Sequence, residues 1–177
     1  AVPTLSHLGR GDVVERLLAT LREVAGDVRP GSLVGLGAAV ASPTEPDTGI
    51  MRKAPSLPGW DGFSLRPVLE AGFQLAVSLA NDATLATLAE HVFGAGRGYD
   101  NVIYLTVSTG IGGGVIAGGK LYTGSRGFAG ELGHITIDRN GPTCNCGNAG
   151  CLEVLASGGA TARMAMERLD AGENSLL

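Results

Sequence analysis

Asn101-Val102-Ile103-Tyr104-Leu105-Thr106-Val107-Ser108-Thr109-Gly110-Ile111-Gly112-Gly113-Gly114-Val115-Ile116-Ala117-Gly118-Gly119-Lys120-Leu121-Tyr122 opens with the clearest strand signal in the chain. Residues Asn101 to Val107 are rich in β-branched and aromatic side chains, and glycines follow at once. Val115 to Tyr122 reads as a hairpin closed by Gly118-Gly119, a dipeptide that supplies the positive φ of a two-residue turn. Between them, Ser108 to Gly114 would expose backbone N–H groups able to wrap a phosphate without side-chain interference. The run lacks the Gly-Lys-Ser/Thr ending of a P-loop. Gly112, Gly114 and Ala117 match the spacing of a dinucleotide-binding fingerprint, but that motif must open a helix and a hairpin follows here, so a nicotinamide site is excluded. The bland alternative for the glycine run is a tight connection between strands.

Upstream, Val13, Val14, Leu17, Leu18, Leu21, Val24 and Ala25 follow the helical period between Asp12 and Gly26, which predicts an amphipathic helix. Ser32 to Ala41 predicts a buried strand, and the Pro, Thr, Asp and Gly residues of 42–49 predict a loop. A further loop from Pro55 to Gly62 leads to a short helix near Leu65 to Ala71, and Gln74 to Leu79 reads as another strand. Asn81-Asp82 then opens a helix whose apolar stripe is Leu85, Leu88, Ala89 and Val92. Such strand-to-helix junctions are where open α/β sheets place their ligands. Gly94-Ala95-Gly96-Arg97-Gly98 ends that helix and is the expected boundary between a lobe of residues 1–97 and a lobe of residues 98–177.

Downstream, His134 to Ile137 reads as a short β-like segment, and Cys151 to about Leu169 as a helix. Between them lie all three cysteines, Cys144, Cys146 and Cys151, and an odd, tight cluster is not a disulfide framework. With His134 they make a three-thiolate, one-imidazole set suited to a closed tetrahedral zinc site, with glycines that let a short loop fold round the ion. With no open coordination position the metal would hold the loop and not act as a Lewis acid. The alternative is three reduced cysteines buried as small apolar groups. Three carboxylates adjoin these features: Asp82 at the helix start, Glu131 in Glu131-Leu132-Gly133-His134, and Glu153 just past Cys151. With Asn81 they would suit a polyol, whose hydroxyls need acceptors in fixed geometry. Singly, each acid is explained as a helix-start residue or a solvated one.

Composition narrows the classes. The 177 residues suffice for a real core, and no apolar run approaches the roughly 18 residues of a membrane helix. Twenty-nine glycines are more than twice the roughly 7% usual in proteins, which marks many positions of positive φ or close approach. A net charge of −4 with 13 scattered basic residues leaves no patch for a nucleic-acid backbone, so nucleic acid is not an expected partner of this segment. No secretion signal is read at Ala1-Val2-Pro3-Thr4, so a reducing cytoplasm is the expected compartment.

Asn81-Asp82-Ala83, Thr109-Gly110-Ile111-Gly112-Gly113-Gly114, Gly127 to His134, and Cys144-x-Cys146-Gly147-x-x-Gly150-Cys151-Leu152-Glu153 together resemble the ROK family of repressors, open reading frames and sugar kinases. Within it the chain looks most like the glucokinase branch. The resemblance implies an α/β, actin-like ATPase (ribonuclease-H-like) fold in two lobes with sugar bound between them, here incomplete at both ends. It implies ATP-dependent phosphorylation of a hexose, glucose first, with ATP or polyphosphate as donor, Mg2+ accompanying ATP, and a homo-oligomer, a dimer or tetramer. By position, Asp82 would be the general base, and Asn81, Glu131, His134 and Glu153 would bind sugar hydroxyls. Thr109, Gly110, Ile111 and Gly112 would approach the transferring phosphate, and His134 would give its second ring nitrogen to zinc beside Cys144, Cys146 and Cys151. The alternative within the family is the sugar-sensing domain of a repressor without kinase activity.

Departures accompany the likeness. The family's N-terminal Asp-x-Gly-x-Thr phosphate loop is not found in these residues, Gly37 to Ser42 stands where a Gly-x-Pro-Gly loop is expected, and Ser56 replaces the usual Asn. The chain is therefore expected to be a kinase fragment, and these 177 residues alone are expected to phosphorylate sugar weakly or not at all.

Overall fold

The computed structural model describes residues 2–29, 31–52, 54 and 57–175. Pro55 and Ser56, singled out above, lie outside them. The chain divides into two compact units, residues 1–85 with 124–128, and residues 86–123 with 129–177.

In the first unit a short 3-10 turn, Ser6–Leu8, leads into α1, Arg10–Gly26. β1, Leu36–Val40, lies parallel to β2, Val77–Asn81, with Leu36 opposite Val77 and Val40 opposite Asn81. Parallel strands need a crossover, and the segment between them contains α2, Arg66–Phe73, with Pro67 in its first turn, where a missing N–H costs nothing. Val77 and Leu79 point one way along β2 and are buried with Val40, while Gly37, Ala39 and Ser78 face the other way and are exposed. The core joins Val13 of α1, Leu65, Leu69, Met51 and Trp60, with Val14, Leu17, Leu18 and Leu21 packed against it. Val13, Val14, Leu17, Leu18 and Leu21 of the helical period read from α1 thus face the core, while Val24 is exposed.

The long connection is held by side chains. Arg52 grips the Glu45 carboxylate through Nε at 3.0 Å and Nη2 at 2.9 Å. Arg66 donates to the carbonyls of Asp47 and Pro46. Arg10 lies 4.5 Å from the Phe63 ring centroid and donates to the Gly59 carbonyl, and Phe63 meets Trp60 edge-on at 5.5 Å.

The second unit is built on an antiparallel meander, β3 (Val102–Val107), β4 (Ile111–Ala117) and β5 (Lys120–Tyr122), in that order. The Gly118-Gly119 hairpin is as the sequence predicts, with φ of 58° and 74°, and Asn101 Oδ1 accepts from Gly118 N. Three expectations are corrected. Gly112, Gly113 and Gly114 are strand, paired with Thr106, Leu105 and Tyr104, and not part of an open loop. The segment expected to be β-like at His134 is a 3-10 turn, Leu132–His134, followed by a single bridge between Thr136 and Cys151. The helix expected from Cys151 to Leu169 is two, α4 (Leu152–Ala156) and α5 (Gly158–Asp170). Ser157 breaks it with an extended backbone, and its Oγ caps α5 by accepting from Ala160 N at 3.1 Å.

α3, Asp82–Phe93, buries Ala83, Thr84 and Thr87, while Leu88 and Val92 of its expected apolar stripe are exposed. The small face is required because Gly114 of β4 comes up against Thr87. Ile103, Leu105 and Val107 are exposed along one face of β3. No helix among the described residues is long and apolar enough to cross a membrane.

Leu69 is fully buried in the first unit's core. Leu69→Ala should cost about 2–5 kcal/mol, and a fall in thermal midpoint by calorimetry checks it.

Candidate functional site

Asn81 and Asp82 belong to the first unit, at the carboxyl end of β2 where the strand becomes α3. Asn81 Oδ1 accepts from Thr84 N at 3.1 Å, which is an N-cap bond, and Asp82 Oδ1 accepts from Ala83 N at 2.8 Å. Both side chains therefore anchor the helix start, and the exposed Asp82 carboxylate sits at its positive end.

The remaining predicted residues lie in the second unit. Ser108, Thr109 and Gly110 form the turn between β3 and β4, closed by Ser108 N donating to Gly110 O at 2.9 Å. Its outer carbonyls are held from α5, where Gly158 N donates to Ser108 O at 2.8 Å and Gly159 N to Thr109 O at 3.1 Å. Glu153 Oε2 accepts from Ile111 N at 2.9 Å, across 42 residues of sequence. Thus the predicted phosphate run is a short turn pinned from both sides, with Gly112 already in the sheet. Sequence reading missed Gly158 and Gly159; the signal was Ser157-Gly158-Gly159, a poor helix interior and a good helix start.

The turn that carries Glu131 and His134 packs directly on β4. A Cβ on Gly133 would strike the Ile111 carbonyl, and one on Gly113 would fall 3.0 Å from Leu132 Cδ1, so both positions need glycine for close approach. His134 N donates to Glu131 O at 3.1 Å, and His134 Nε2 lies 3.7 Å from Glu131 Oε2, within ion-pair reach but beyond a hydrogen bond.

The other ring nitrogen faces the cysteines. His134 Nδ1 is 3.5 Å from Cys144 Sγ, Cys146 Sγ is 3.6 Å from Cys151 Sγ, and the four ligand atoms lie within 4.8 Å of one another. A tetrahedral ion with bonds of about 2.3 Å to sulfur and about 2.0 Å to nitrogen sets its ligands about 3.5–3.8 Å apart, so the cluster fits a structural metal. The cysteines are free thiols, and Cys144 and Cys151 are buried. Burial pushes the Cys151 thiol up to about 12, with Cys146 and Cys144 adding to the rise. A coordinated cation reverses that preference and displaces the proton. The loop is folded round the cluster by Cys144 N to Asn148 O at 2.7 Å and Gly147 N to Cys144 O at 2.9 Å, and Leu152 N to Ile135 O at 2.9 Å ties its far end to α4.

The sequence profile of the ROK family matches residues 8–175. The glucokinase of Thermotoga maritima is 41% identical over 174 residues, 98% of this chain and 54% of that protein. The xylose repressor of Bacillus subtilis is 42% identical over 128 residues, 72% of this chain and 33% of that protein. The crystal structure of a ROK family glucokinase from Streptomyces griseus, in complex with glucose and AMPPNP, superposes with a TM-score of 0.82 at 34% identity, over 96% of this chain and 53% of that one. The chain thus spans about half the length of the glucokinases it matches.

Proposed function

From the premise that this chain belongs to the ROK family, we propose that the protein carrying it transfers the terminal phosphoryl group of ATP to a hexose, with glucose the first candidate. Its fold is about half of the actin-like ATPase fold of the ROK sugar kinases. In this reading residues 1–97 belong to the N-terminal lobe and residues 98–177 to the C-terminal lobe. The observation that carries the reading is Asn81-Asp82 at the carboxyl end of β2, with Asp82 fixed by the helix it opens.

Asp82 accepts the proton of the attacking sugar hydroxyl as its oxygen bonds to phosphorus and ADP leaves, the part an aspartate plays beside the nucleophile in phosphoryl transfer. Asn81, Glu131, His134 and Glu153 bind sugar hydroxyls, and Thr109 to Gly112 approach the transferring phosphate. Magnesium accompanies ATP in the whole protein. His134 Nδ1, Cys144, Cys146 and Cys151 would hold zinc, which would supply folding energy and no Lewis acidity. That ligation would fix the imidazole ring and leave Nε2 on the side of Glu131.

A second reading is the sugar-sensing domain of a repressor, supported by the likeness to the xylose repressor. One experiment separates the two. The whole protein is assayed for sugar phosphate with ATP and magnesium across glucose, mannose, fructose and the N-acetylhexosamines, with sugar-induced melting shifts recorded on the same samples. Product from one sugar supports the kinase; a melting shift without product supports the sensor.

Asp82→Asn removes the base and keeps a hydrogen-bonding group. It should lower kcat by about a hundredfold to ten-thousandfold, with sugar Kd within a few-fold by titration calorimetry. Equal loss of both would place Asp82 in recognition. Cys146→Ser should reduce bound zinc from one per chain to a small fraction and lower the thermal midpoint by several degrees. Elemental analysis and calorimetry check it, and unchanged metal content would remove zinc from the account.

A further inference from the structure

The Glu153 carboxylate does more than face outward from the start of α4. Its Oε2 accepts the Ile111 amide at 2.9 Å, the N–H that follows the Ser108-Thr109-Gly110 turn. A Cβ on Gly110 would fall 2.5 Å from the same oxygen and 3.3 Å from Glu153 Cδ, so the carboxylate lies directly against the turn. The turn's carbonyls at Ser108 and Thr109 are held by Gly158 and Gly159. Glu153 supplies the matching acceptor for the amide that leads into β4. Carboxylate-to-amide bonds are charge-assisted and about twice as strong as neutral ones.

We infer that Glu153 is a positioning residue that holds the turn approaching the transferring phosphate, so that one carboxylate serves both the sugar hydroxyl and the phosphate turn. The inference rests on the kinase reading for its consequence but not for its contact.

Three variants of the whole protein separate positioning from sugar contact. Glu153→Ala removes both roles. Glu153→Gln keeps a carbonyl oxygen that can accept the Ile111 amide. Gly110→Ala leaves the carboxylate intact and drives it off that amide, because the obstructing atom is the far end of a flexible side chain. Amide hydrogen exchange over 108–111 is read first, since it needs no turnover. Exchange at Ile111 should rise about tenfold in Glu153→Ala and Gly110→Ala, stay within about threefold of wild type in Glu153→Gln, and leave the β1 and β2 amides unchanged. In the kinase assay KM for ATP should rise about tenfold in Glu153→Ala and Gly110→Ala and stay within about threefold of wild type in Glu153→Gln. Unchanged Ile111 exchange in Glu153→Ala, or a weakened sugar Kd with an unchanged KM for ATP, would overturn the inference. If the wild type makes no sugar phosphate, the kinase reading fails while the exchange result still decides the contact.

Discussion

Four ligand atoms, the Nδ1 of His134 and the sulfurs of Cys144, Cys146 and Cys151, lie within 4.8 Å of one another in a loop that has no large apolar side chain of its own to bury. From Asp138 to Gly150 the chain is Asp, Arg, Asn, Gly, Pro, Thr, Cys, Asn, Cys, Gly, Asn, Ala, Gly, with no large aliphatic or aromatic side chain to bury. Apolar burial of a loop this polar cannot offset the entropy of ordering its residues. Closure has to come from the cluster and from the backbone bonds wrapped round it. A metal at these atoms would add binding free energy that is directly folding free energy. The consequence reaches past the loop, because Cys151 is the residue from which α4 starts and Glu153 lies in its first turn.

The glycines answer a different constraint. Gly113 and Gly133 let the 3-10 turn of Leu132–His134 lie on β4 at backbone contact distance, and Gly114 does the same for Thr87 on α3. A side chain at Gly113 or Gly133 would lift the turn that carries Glu131 and His134 off the sheet, and one at Gly114 would press on Thr87 of α3. Their abundance in this stretch is therefore a packing requirement inside a strand, with only the three residues Ser108 to Gly110 left as a turn. The close approach also explains why α3 buries threonine and alanine instead of its leucine and valine stripe.

A glucokinase and a xylose repressor resemble this chain at closely similar identity, 41% and 42%. The elements that fix the polar groups of this chain are structural first. Asn81 caps a helix, Glu153 pins a turn and His134 faces a thiol cluster, and each of these duties is independent of whether phosphate is transferred. Sites set on helix starts and strand ends in this way are held more rigidly than sites on free loops.

Much of this was legible in the residues. α1, the strand from Val102, the Gly118-Gly119 hairpin, the Asn81-Asp82 helix start and the four members of the histidine-cysteine cluster all depend on short-range signals: period, turn chemistry, capping and residue spacing. The misread parts have distant causes. Gly112 to Gly114 looked like loop because glycine has low strand propensity, and they are strand because β3 pairs with them and a turn some twenty residues downstream presses on them. The bond from Glu153 to Ile111 joins segments 42 residues apart, whereas the split at Ser157 is the exception, a helix start capped by Ser157 itself. By itself the sequence determined which residue types stand at each junction. Only the tertiary structure decided which amide each carboxylate meets and which glycine touches which turn, because close approach is settled by non-local packing that no local pattern encodes.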